Sequence, residues 1–188
     1  FLLTPIFQDD RLVGLLALFG KAEDPSSGGR QMPSHFGYAP SRIVSSSSPV
    51  ATQMPQAAGI ALAAKLRGLD EVVVVTLGEG STSQGDFHEA LNFSAIHKLP
   101  VIFFVENNGY AITESNAKEM PVPNVADRAR GYGIQSAMVD GMDCVAVYQT
   151  VRPAVDQARR GGGPTAPTSS SPSGPAPSAT PPSANCSI

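Results

Sequence analysis

The sequence predicts an α/β fold built on a doubly wound, mostly parallel sheet. Three observations carry this. Glu71-Val72-Val73-Val74-Val75-Thr76-Leu77 and Val101-Ile102-Phe103-Phe104-Val105 are continuous apolar runs, as expected of strands buried on both faces. The residues between them, Asp86 to Lys98, repeat with a helical period. Strands and helices then alternate along the chain, the order that parallel pairing demands because each pair needs a crossover.

The elements follow in order. Val50 to Arg67 is Ala-rich and reads as a helix ended by Gly68, with Pro55 in its first turn. The valine run 71–77 is the first strand of the sheet. The helix over 86–98 places Phe87, Leu91, Ala95 and Ile96 on one side, and Leu99-Pro100 ends it. Residues 101–105 form the second strand. Asn124 to Tyr132 is a short helix with Asn124 as candidate N-cap. Ser136-Ala137-Met138-Val139 is a third strand, and Asp143 to Arg160 is a last helix that Pro153 should kink.

Composition then changes at Arg160. Residues 1–160 read as one domain. Residues 161–188 carry no charge and contain seven Pro and seven Ser among 28 residues. Such a stretch buries too little apolar surface to offset the entropy of ordering it, so it is expected to lack fixed structure and to stay off the sheet. A linker would have this composition, and so would a shifted reading frame of GC-rich DNA.

Several function classes are excluded at this stage. A net charge of −3 gives no footprint for nucleic acid. No apolar run approaches the roughly 20 residues of a membrane-spanning helix. Phe1-Leu2-Leu3 lacks the basic region and cleavage site of a signal peptide, so a cytoplasmic setting of bacterial type is expected. A start on Phe rather than Met suggests a fragment. Two cysteines, Cys144 and Cys186, support neither a disulfide framework nor a four-cysteine zinc site.

Two loops carry the chemistry. Gly78-Glu79-Gly80-Ser81 follows the first strand, and Glu106-Asn107-Asn108-Gly109-Tyr110 follows the second. In a parallel pair both loops leave the carboxyl end of the sheet, where open α/β sheets bind ligands. Twenty-six residues separate Gly80 from Asn107, enough for one helix and one strand. The spacing can bring the Glu79 carboxylate near the Asn108 amide. One carboxylate, one amide oxygen and a backbone carbonyl near Tyr110 suit Mg²⁺, which takes hard oxygen ligands and shares them with phosphates. Gly78 and Gly80 allow close backbone approach, and Ser81 leads toward a helix N-terminus suited to a phosphate. A plain pair of strand-to-helix turns explains the spacing about as well. The glycines do not make a dinucleotide fingerprint, since the third falls at Gly85.

Gly78-Glu79-Gly80 followed by Asn107-Asn108 resembles the thiamine diphosphate motif. The longer runs Gly78 to Glu89 and Val105 to Ile112 are similar to the α subunit of the E1 component of 2-oxo acid dehydrogenases, as are Gly28 to His35, Ser47 to Gln53, Gly131 to Gly133 and Val139 to Asp143. Glu at position 79 is more similar to the branched-chain (2-oxoisovalerate) enzymes than to the pyruvate ones. The resemblance covers about Leu16 to Thr165.

The resemblance implies a thiamine diphosphate-binding fold and roles for named positions. Glu79, the Asn108 side chain and the Tyr110 backbone would hold Mg²⁺. Gly80 and Ser81 would contact the diphosphate, with Ser48 and Val50 along the cofactor. Ser47, Pro49, Thr52 and Gln53 would form a K⁺ site, although a plain hydroxyl N-cap explains that segment more simply. The implied activity is oxidative decarboxylation of a small branched-chain 2-oxo acid with acyl transfer to a lipoyl group on an E2 partner. It would be carried out by an α₂β₂ heterotetramer with the cofactor between α and β chains. A pyruvate dehydrogenase α subunit and a catalytically inactive fragment are the alternatives.

The pattern also breaks. The family has a histidine-bearing loop after the position of Thr165 and a Tyr-Arg pair upstream. Here no histidine follows His97, and Phe7-Gln8-Asp9-Asp10-Arg11 replaces the pair. No catalytic residue is therefore assigned, and the chain is expected to be inactive alone. His97 reads as a helix C-terminal residue that complements the dipole, and His88 as structural. His35 lies where the family places the active-site entrance.

Overall fold

The computed structural model describes residues 5–8, 11–14, 22, 24, 27–30, 35, 37–45 and 47–171. The chain forms two compact units, 1–53 and 54–188, so a boundary lies well before the composition break at Arg160. In the first unit, β1 (Pro5–Gln8) and β2 (Arg11–Gly14) pair antiparallel, and a short 3-10 turn spans Ala39–Ser41.

The second unit is the predicted α/β structure. Helix α1 (Gln53–Leu66) leads to β3 (Val73–Gly78), a 3-10 turn (Glu79–Ser83), α2 (Gly85–Ile96) and β4 (Val101–Asn107). A two-residue ladder, β5 (Tyr110–Ala111) with β6 (Glu114–Ser115), follows, then one-turn α3 (Asn116–Glu119) and α4 (Val125–Arg130). The unit closes with β7 (Gln135–Asp140), α5 (Cys144–Arg159) and β8 (Thr165–Ser170). The four long strands lie in the order β3-β4-β8-β7, and every neighbouring pair is parallel.

Local signals in the sequence explain most boundaries. Gly68 ends α1 with φ +66°, a left-handed conformation that glycine adopts without strain. Asp143 caps α5 by accepting from the Val145 and Ala146 N–H groups at 2.9 and 3.0 Å. Asn124 stands at the N-cap of α4 but makes no side-chain cap bond. Helix α5 continues through Pro153 as one element. Phe87, Leu91, Leu99, Val101, Ile102, Phe103 and Val105 form the centre of the core, each at most 1 % exposed. Burial of side chains of this size contributes about 1.5–3 kcal/mol each.

Two expectations are corrected. The first valine run is not buried on both faces. Its side chains alternate instead: Val75 and Leu77 are buried on one face while Val74, on the other, is 53 % exposed, and β3 is an edge strand among the described residues. The second correction concerns the segment after Arg160. Thr165–Ser170 is not free of the sheet: it is an interior strand between β4 and β7, with Thr165, Ala166, Thr168 and Ser169 buried. The chain passes from β4 to β7 by skipping one place, and α5 returns it to that gap. The tertiary slot overrides a poor strand composition. The cost is visible. The β4 ladder runs Ile102 with Thr165, then resumes at Val105 with Thr168. The break falls at Ala166-Pro167, where proline has no N–H to give. The remainder of the tail, 172–188, lies outside the described residues.

Candidate cation site at the carboxyl end of the sheet

The register of β3 on β4 sets the site. Gly78 pairs with Glu106, so both strands end level and their following loops emerge side by side. Glu79 opens the 3-10 turn and is only 3 % exposed. Its Oε2 accepts the Asn108 backbone N–H at 3.4 Å, and its Oε1 is buried with no partner among the described residues. A buried carboxylate oxygen without a donor is costly unless something positive reaches it. The expected juxtaposition of the two loops is thus present.

The two asparagines divide their work. The Asn107 Oδ1 accepts from the Gly109 N–H and from Asn116 Nδ2, both at 2.9 Å, and so closes the loop on itself. Asn108 is exposed, and its Oδ1 accepts the Tyr110 N–H at 2.9 Å in an Asx-type turn. That oxygen keeps a second lone pair for a cation. Tyr110 is half-buried at the start of β5. Gly80 has a second demand on it: a Cβ there would stand 2.6 Å from the Ala111 Cβ. Ser81 is half-buried in the 3-10 turn, ahead of α2.

The donor set fits a hard divalent cation. It offers one carboxylate, one amide oxygen and a backbone region, leaving most of an octahedron for phosphate and water. Among the described residues no group of three or more His, Cys, Asp or Glu side chains could hold a metal, so a soft or purely protein-built centre is not what this loop pair offers.

The other predicted positions lie in the first unit. Ser47, Thr52 and Gln53 are half-buried, and Ser48, Pro49 and Val50 are exposed. The Thr52 hydroxyl donates to the Pro49 carbonyl at 2.9 Å, which closes the turn ahead of α1. His35 Nε2 hydrogen-bonds to the Ser48 hydroxyl, joining two of the motif segments. His88 Nδ1 lies 2.6 Å from the Tyr132 hydroxyl. His97 follows α2, and its carbonyl accepts from Lys65 Nζ at 2.6 Å.

Three supporting residues escaped the sequence reading: Thr82, Asn116 and Arg128. Thr82 is fully buried, and its hydroxyl donates to the Glu79 carbonyl at 2.6 Å. Arg128 reaches the same turn from α4. Burial lowers the Arg128 pKa from its ordinary value, while the nearby Glu119 carboxylate pulls it back up. A Thr three residues after the acid is a local signal. The Arg, 46 residues further on, had none.

Fold and site define a class: an α/β protein whose two successive parallel strands bring a buried carboxylate and a side-chain amide to one end of the sheet. Comparison with known proteins gives the family. A profile described as "Dehydrogenase E1 component" matches residues 3–166. The chain belongs to that family. It is 55 % identical over 151 residues to the 2-oxoisovalerate dehydrogenase subunit alpha of Bacillus subtilis, covering 80 % of this chain and 46 % of that relative. The mitochondrial subunits of the same description from Mus musculus and Homo sapiens are 45 % identical over 136 residues and 47 % over 126. Those alignments cover 72 % and 67 % of this chain, and 30 % and 28 % of the relatives. The chain therefore spans less than half the length of the curated relatives it matches.

Proposed function

We propose that this chain supplies the metal and diphosphate half-site of a branched-chain 2-oxo acid dehydrogenase E1 α subunit. It would act in the cytoplasm with an E1 β subunit and a lipoyl-bearing E2. The observation that carries the reading is the buried Glu79 carboxylate with one unpartnered oxygen, set in the loop pair that the family motif specifies. Glu79, the Asn108 amide and the Tyr110 backbone would hold Mg²⁺. Gly80 and Ser81 would contact the diphosphate, and Ser48 and Val50 are the cofactor-binding positions that the family motif implies in the first unit. Ser47, Pro49, Thr52 and Gln53 would be the positions for K⁺, in a turn that the Thr52–Pro49 hydrogen bond already closes. Thiamine diphosphate, when bound, supplies the electron sink for loss of CO₂ from the 2-oxo acid. The chain's own residues would fix its charged end: Glu79 would offset one of the cation's two positive charges, the Asn107–Asn116 bond ties the loop to itself, and burial keeps water from the carboxylate.

The test is calorimetric titration of the full chain with Mg²⁺ and thiamine diphosphate together. Wild type is expected to bind and to melt higher with the pair present, since a ligand that binds only the folded state stabilises it. Glu79→Gln should lose both effects. Equal binding by Glu79→Gln would remove this carboxylate from the site and end the proposal.

A further inference from the structure

The Glu79 carboxylate has almost nothing holding it directly. Among the described residues one oxygen has no partner and the other receives a single long bond. Its direction must be set by the 3-10 turn that carries it. That turn is tied down at Thr82, whose hydroxyl donates to the Glu79 carbonyl. Thr82 is in turn held by Arg128: one guanidinium nitrogen donates to the Thr82 carbonyl and, at 2.9 Å, to the Thr82 hydroxyl oxygen. The other terminal nitrogen donates to the Glu119 carbonyl at 3.3 Å, at the end of α3. Ser83, the last residue of the turn, donates to the Glu119 carboxylate at 3.3 Å. One planar fork thus joins three segments, the turn bearing Glu79, α3 and α4.

We infer that Arg128 is a positioning residue for the cation site, acting through Thr82 on Glu79. The inference rests on the proposed role of Glu79 as a metal ligand. A guanidinium is needed because two donors must reach separate segments at fixed angles. An ammonium keeps the charge but is a point donor on a flexible stem. Groups that orient a ligand from behind typically change metal affinity by about 10–100-fold when altered.

The experiment is Mn²⁺ binding by the full chain with thiamine diphosphate present, read by the free-ion electron paramagnetic resonance signal. Unfolding midpoints are measured alongside. Arg128→Lys should bind Mn²⁺ at least about tenfold more weakly while still folded. Arg130→Lys, on the same helix with an ion pair to Asp127, should bind as wild type does. A purely structural Arg128 would lower the midpoint and leave the affinity of the folded chain unchanged, which overturns the inference. Should Arg128→Lys fail to fold, Thr82→Val, which removes the linking hydroxyl, must show the same loss and Thr82→Ser must not. Unchanged binding by Thr82→Val overturns the inference equally. Failure of wild type to bind would instead overturn the Glu79 assignment itself, and this inference with it.

Discussion

Asn107 and Asn108 are adjacent and identical in the sequence, yet the structure gives them opposite tasks. Asn107 spends its side-chain oxygen on Gly109 and Asn116, while Asn108 stands exposed with a lone pair to spare. Gly80 also serves packing. A methyl there would meet the Ala111 methyl at 2.6 Å, far inside normal contact. Gly80→Ala should therefore cost about 1–3 kcal/mol, the range for overpacking a tight contact. Because the clash has one named partner, adding Ala111→Gly should recover most of the loss. Urea denaturation of the two single variants and the double variant checks it. Simple additivity would show that Gly80 is needed for some other reason.

Among the elements, β8 is the one whose composition and position disagree most. It lies inside the sheet, yet holds Pro167 and two buried hydroxyls, Thr165 Oγ1 and Thr168 Oγ1, without hydrogen-bond partners among the described residues. Each such hydroxyl costs about 1–3 kcal/mol of desolvation. Thr168→Val keeps the shape and removes that cost, so it should stabilise the chain by about 1–2 kcal/mol. A rise in the urea midpoint at unchanged slope is the expected result. Slow hydrogen exchange of the amides at 168–170 would follow from the same placement, since interior strand amides open only with the sheet. A lower midpoint for Thr168→Val would mean that the hydroxyl has a partner, such as a buried water.

For the whole molecule, the proposed activity requires more than this chain contributes. Glu79 and Asn108 are proposed to fix a cation and a diphosphate, and the two described histidines with side-chain hydrogen bonds spend them elsewhere. His88 is bonded to Tyr132 and His35 to Ser48. The chain with Mg²⁺ and thiamine diphosphate should bind the pair yet release no CO₂ from a branched-chain 2-oxo acid. Decarboxylation followed with a dye acceptor checks this. Turnover by the chain alone would contradict the proposed dependence on a β subunit.

The sequence by itself determined the parallel α/β class, seven of the helices and strands of the second unit to within a few residues, and the exit of the two motif loops at the same end of the sheet. Those features are written in local pattern: apolar runs such as 101–105, a capping Asp143 and a terminating Gly68. It did not determine which strand stands at the edge, because the valines of β3 read the same whether one face or both are covered. Nor did it disclose Arg128, since a contact across 46 residues leaves no periodic trace. Composition alone misjudged β8. Thr165–Ser170 looks unable to hold a strand, and only the gap between β4 and β7, filled on return from α5, supplies the neighbours that order it. Local sequence sets what a segment prefers. The sheet decides where a segment with weak preferences must go, because leaving two interior strand edges unpaired costs more than burying a few hydroxyls.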